Sequence, residues 1–399
     1  MISTKRHAKL ALAYFLVAAI LGLVLRTSYT TEIPITYRYV VHSHSHIALL
    51  GWVYMALTTL LYKLFLEGQG LEKKYRNLFL FTQFALVGML FTFPFTGYAL
   101  FSIIFSTLFL FASYWFSWLF IKYTPLALKQ TNSFSCIKAA LIYLVISSIG
   151  PWALGGIMTT LGPTSNWYRI AIYFYLHFQY NGWMIMALLG ILFFVLERNN
   201  IALPKSTFKS VYWSINLGII LTFFLSVLFT EPSSSLYLIS GLGGLLQLWA
   251  LAVLFKINKE LKRPWGTIFS GFEIGLLKWA AFLIAVKMIL QLLTALPYFA
   301  NLATTVLDFT IGYLHWTFLG VVSISLFLFL HYYKLIRIPK NFIRLYLVGF
   351  VTTEGIIFYK GIASWLRFSL FDGYFLALVM ASATIPIALI YLLVFPPKN

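Results

Sequence analysis

The sequence is short of charge and almost without cysteine. Only 10% of its 399 residues are charged, against 61% apolar and a mean hydropathy of +0.88. A fold bathed in water on all sides needs far more polar surface, so the chain reads as a multi-spanning membrane protein. Its single cysteine, Cys136, excludes a disulfide framework, an iron–sulfur cluster and haem attachment through Cys-x-x-Cys-His. Acidic residues are the scarcest charge, 10 against 29 Lys and Arg, for a net charge of +19. Such an excess suits nucleic acid, but basic residues beside membrane helices are expected from topology alone, and nucleic acid is set aside as a partner. Long polar linkers, a repeat with a period of 20–50 residues and low-complexity tracts are also missing, so residues 1–399 read as a single polytopic transmembrane domain.

What is present is a series of apolar runs. With roughly 20 apolar residues per crossing, the expected helices span about 10–26, 40–62, 78–98, 100–121, 138–158, 168–195, 211–229, 236–255, 268–296, 309–331, 343–363 and 374–395. The turn chemistry between them is Glu67–Gly70, Gly162-Pro163, Arg198–Asn200, Glu231-Pro232, Arg263-Pro264 and Ile338-Pro339. Lys5, Arg6 and Lys9 ahead of the first run resemble the start of a signal peptide. No clear small-residue cleavage site follows, so the run is read as a retained first helix.

An even number of spans puts both termini on one side, which the loop charges make the cytoplasmic one. Lys73, Lys74 and Arg76, then Lys122, Lys129 and Lys138, then Arg198, Lys205 and Lys209 fall in alternate loops on that side. Lys256, Lys259, Lys262 and Arg263, then Lys334, Arg337, Lys340 and Arg344, and finally Lys398 continue the pattern. The other side keeps Arg26, Arg38, Arg169, Lys360 and Arg367. The expected location is the cytoplasmic (inner) membrane, with lipid as the first partner.

Five of the seven histidines lie in even-numbered spans: His42, His44 and His46 in the second, His177 in the sixth and His315 in the tenth. Histidine is costly inside a bilayer unless it finds a partner. From the helical rise, His44 and His46 lie roughly 6–9 Å and His315 roughly 10 Å below the outer surface. Two imidazoles from facing helices at matching depth suit the axial positions of a low-spin haem iron. His42 and His46 share a helix face, whereas His44 points about 160° away from them. His7 and His331 read as interfacial.

The spacing resembles subunit I of the heme-copper oxidases. The stretch from Asp308 through Thr310, Ile311, Gly312, His315 and Gly320 resembles the tenth helix of the C-type, high-affinity branch. There the first histidine of a His-x-His pair ligates the active-site haem and the second ligates the low-spin haem. Here those positions are Tyr313 and His315, so the resemblance implies that the low-spin ligand is kept and the other lost. The second span is similar to the family's helix II, whose low-spin haem histidine precedes a glycine by seven; this implies His44, with His46 as the alternative by register. The sixth span, from His177 to Gly190, resembles the helix that supplies one copper ligand. The seventh should add a His-His pair after a proline, but Ser233 and Ser234 follow Pro232.

The resemblance therefore implies an all-α integral membrane protein with a subunit I-like bundle and one low-spin haem b per chain. His44 or His46 would ligate it with His315, and Arg38, Arg367 or Lys360 would neutralise its propionates. Copper is not expected, because His177 alone cannot hold it. The expected work is electron transfer, redox sensing or diatomic-gas handling, with redox proteins or quinol as partners. A transporter or metal-handling protein, with His42, His44, His46 and His177 along a polar path, and a non-catalytic oxidase accessory subunit are the alternatives. Glu354 in the eleventh span suggests a proton relay or a structural hydrogen bond. In the ninth span, Lys278 with Glu273 suggests a compensated pair, and Lys287 with Gln291, at i and i+4, a polar seam.

Overall fold

The computed structural model describes residues 3–201, 203–260 and 265–395; Lys262, Arg263, Pro264 and Lys398 lie outside them. Every regular element among the described residues is a helix. Twelve are long and apolar enough to cross a membrane: α1 Thr4–Thr27, α2 Tyr37–Leu66, α3 Glu72–Thr96, α4 Leu100–Tyr123, α5 Asn132–Thr160, α6 Asn166–Arg198, α7 Lys205–Thr230, α8 Ser234–Ile257, α9 Gly271–Leu293, α10 Leu307–Tyr332, α11 Lys340–Leu366 and α12 Tyr374–Val394. Two short helices, Leu126–Lys129 and Pro297–Thr305, lie in connections that sequence periodicity leaves as loops. The chain is thus a polytopic helical membrane protein.

Boundaries follow local chemistry. The α9 helix begins later than its apolar run because Ser270 caps it: the Ser270 Oγ accepts from the Glu273 N–H, and the Glu273 carboxylate accepts from the Ser270 N–H at 2.7 Å. This reciprocal box corrects the expected Lys278–Glu273 pair. Lys278 is exposed, five residues from Glu273 and so off its face, and the carboxylate is committed to the cap. Among the residues of positive φ, Gly68, Gly70, Gly162, Asn200 and Glu231 fall within the turn segments read from sequence, whereas Gly97, Lys334, Arg367 and Gly373 fall outside them. Pro151 lacks an N–H and crowds the preceding turn, and α5 is interrupted at Ser148, three residues before it.

The chain divides into two compact units, Met1–Pro125 with Leu326–Asn399, and Leu126–Ser325. In the first unit α1 packs against α2 and α12, α3 against α4, and α11 against α12. Phe15 of α1 stacks on Trp52 of α2 at 4.9 Å and meets Tyr346 of α11 edge-on. Gly51 of α2 permits that approach: a Cβ there would come within 2.8 Å of the Tyr14 ring. In the second unit α5 packs on α6, α7 on α8, and α8 on α9. Gly182 plays the matching part, since a Cβ there would lie 2.6 Å from the Tyr143 side chain.

The spans differ sharply in enclosure. The most apolar 18-residue stretches of α2 and α6 are 89% buried and that of α10 is 67% buried, whereas every other span lies between 33% and 44%. The three enclosed spans are those that carry the intramembrane histidines.

Candidate functional site

In the first unit, α2 sends its histidines to two sides. His44 turns to α1, where its Nδ1–H donates to the Ala18 carbonyl at 2.8 Å. A Cβ on Gly22, one turn further along α1, would come within 3.0 Å of the His44 ring, so glycine there is what lets the imidazole lie against the helix. A carbonyl accepts only, so this bond assigns the proton to Nδ1 and the lone pair to Nε2. That is how a protein commonly presents an imidazole to a metal, with the far nitrogen fixed by a backbone acceptor. The donor chemistry of His44 fits a haem iron.

His42 and His46 face the other way. The His46 ring stacks on Phe93 of α3 at 4.4 Å, and its Nδ1–H donates to the His42 carbonyl one turn back in its own helix. The Tyr98 hydroxyl approaches the His46 Nε2 at 3.4 Å, and the Tyr98 ring lies edge-on to His42 at 4.6 Å. His46 therefore has partners at both nitrogens. Arg38, ahead of these histidines, and Arg367, the left-handed residue that ends α11, are both exposed. Glu354 of α11 is 1% exposed.

In the second unit a buried polar cluster joins four spans. His177 of α6, 2% exposed, donates its Nε2–H to the Ile219 carbonyl of α7 at 2.8 Å, and its Nδ1 accepts from the Asn181 amide at 3.2 Å. With both nitrogens engaged, His177 could hold copper only by losing Asn181, so this donor set does not fit that ion. The Asn181 Oδ1 accepts from the Lys287 ammonium of α9, which also donates to the Gln291 Oε1 one turn along α9. That same oxygen accepts from the Tyr313 hydroxyl of α10 at 3.1 Å. The Tyr180 and Tyr313 rings lie 5.8 and 6.0 Å from the ammonium. His177 and Tyr313, the two positions assigned by resemblance to lost metal chemistry, are thus tied to one lysine through Asn181 and Gln291. Ser233, in the turn after α7, and Ser234, the first residue of α8, are both exposed, and the Ser233 hydroxyl bonds to Ser235. His315 of α10 is half-buried.

Each enclosed span shares a further feature that sequence reading passes over. The pattern His-x-x-x-x-Gly occurs as His46–Gly51, His177–Gly182 and His315–Gly320, once in every fourth span. In each case the helix widens to π-type turns at the next residue, over Ile47–Tyr54, Phe178–Met184 and Trp316–Val322. Such wide turns mark functional sites more often than plain helix does. The first two also share Gly-Trp-x-x-Met-Ala-Leu, at Gly51–Leu57 and Gly182–Leu188, with both tryptophans fully buried. Comparing the even spans with one another exposes this signal. Asn181 and Tyr180 also escape a search for ligating residues, although Asn181 follows His177 by one helical turn.

Comparison with known protein families finds none that matches the chain, and comparison with curated proteins finds no similar sequence.

Proposed function

We propose that the chain is a membrane haem b protein with a fold like subunit I of the heme-copper oxidases and an oxygen-reducing centre that has been dismantled. The observation that carries this reading is the His44 imidazole, whose Nδ1–H is bound to the Ala18 carbonyl, with Gly22 leaving room for the ring. His46, whose Nδ1–H is likewise held by a backbone carbonyl, is the alternative by register. The sequence pattern of α10 supplies His315 as the second axial ligand. Supporting it are the recurrence of His-x-x-x-x-Gly with widened turns in α2, α6 and α10 and the enclosure of those three spans.

The bound haem would supply one-electron chemistry. Around it, the residues of this chain set the imidazole tautomer at His44 and offer Arg38 and Arg367 as cations for propionates. His177 and Tyr313, which the resemblance aligns with metal-ligand positions of the oxidases, bond to Asn181 and Gln291, the two amide partners of Lys287. The protein would work in electron transfer, redox sensing or diatomic-gas handling, from the cytoplasmic membrane and with both termini in the cytoplasm. The test is the optical spectrum and haem content of the purified chain. One haem b per chain with a six-coordinate, low-spin spectrum that collapses in His315→Ala is expected. A chain expressed with ample haem that carries none contradicts the proposal.

A further inference from the structure

Lys287 is the one buried lysine or arginine among the described residues, at 1% exposed, and it sits within a span. A cation so placed ordinarily acquires a counter-charge, because the cost of removing it from water is otherwise not recovered. Here both hydrogen-bond acceptors, the side-chain oxygens of Asn181 and Gln291, are neutral. The ion pair of Lys63 with Glu67 lies elsewhere and involves neither Lys287 nor Gln291. An ammonium has three N–H donors and two are used. A second donor is also left over: the Gln291 Nε2 is buried with no hydrogen-bond partner, in a residue only 6% exposed. The Gln291 oxygen is already shared by Lys287 and Tyr313, so what the cluster lacks is an acceptor.

We propose that Lys287 and Gln291 form a binding site for a small monovalent anion of halide size. The anion accepts from the third ammonium N–H and from the Gln291 amide, and its charge balances that of Lys287. Water could accept the same two hydrogen bonds but would leave the charge uncompensated, which is why an anion is favoured. The enclosure of both residues restricts the ligand to a compact ion. The proposal involves the second unit alone and does not depend on haem.

The test is thermal unfolding of the full-length chain in detergent, with gluconate replaced by chloride or bromide at constant ionic strength. The unfolding midpoint of the natural chain is expected to rise with halide and to saturate, as binding to the native state requires. Gln291→Leu removes one donor and raises the half-saturating halide concentration about tenfold, the equivalent of one buried hydrogen bond. Lys287→Met abolishes the response. Gln291→Glu, which provides a carboxylate inside the cluster and keeps the lysine, abolishes it as well and keeps the test decisive if Lys287→Met does not fold. The response should survive in His315→Ala, which separates this proposal from the haem reading. A natural chain with no saturable halide response, as expected of a site holding only water, overturns it. So does a response that persists in Gln291→Glu.

Discussion

Replacing Asn181 by leucine strikes the cluster at its most connected point. Asn181 is 2% exposed and mediates between two groups that are buried as deeply: its oxygen accepts from the Lys287 ammonium and its amide donates to the His177 Nδ1. Leucine keeps the bulk and removes both bonds. Losing a neutral acceptor from a buried ammonium that stays charged costs about 1.5–3 kcal/mol. The loss of the neutral bond to His177 adds about 1–3 kcal/mol. Lys287→Met, by contrast, removes the charge itself and substitutes an unbranched apolar chain, so it should be close to neutral or stabilising. In the Lys287→Met background, Asn181→Leu then costs only the His177 part. The double-mutant cycle should return a coupling of about 2 kcal/mol. Equilibrium unfolding in mixed micelles of all four chains, followed by circular dichroism, measures it. Strict additivity, with Asn181→Leu equally costly in both backgrounds, would refute the idea that Asn181 supports a buried ammonium.

Two further outcomes follow from the packing. Gly182→Ala drives a methyl group to 2.6 Å from the Tyr143 side chain, where α5 and α6 meet; a loss of about 1–3 kcal/mol is expected from overpacking, with the larger end reached in Gly182→Val, by the same unfolding assay. Tyr143→Phe leaves that contact but deletes the 2.9 Å bond to the Asn216 Oδ1 of α7, for an expected cost of about 1 kcal/mol.

The twelve spans are legible in the sequence because mean hydropathy over a membrane-length window is a property of composition. Their ends are less so. The start of α9 depends on which of Ser270 and Lys278 engages Glu273, and capping geometry decides for Ser270. The polar seam of Lys287 and Gln291 is readable from i, i+4 spacing within one helix. Its completion by Asn181 joins residues 106 positions apart, and nothing local to either residue signals that contact. The division of the α2 histidines between two faces follows from helical geometry. What fixes the His44 tautomer lies on α1, where the Ala18 carbonyl and the absent side chain of Gly22 meet the ring. A backbone carbonyl is present at every residue, so the sequence does not mark the one that sets a tautomer.

The claim most exposed to a single measurement is that His44 binds haem and His46 does not. Reduced-minus-oxidised spectra of His44→Ala and His46→Ala, purified alongside the natural chain with haem quantified per protein, decide it. The account predicts that the low-spin b-type signal disappears in His44→Ala and persists at about one haem per chain in His46→Ala, as bis-histidine ligation requires. A His44→Ala chain that retains its haem, or a His46→Ala chain that loses it, would contradict the account.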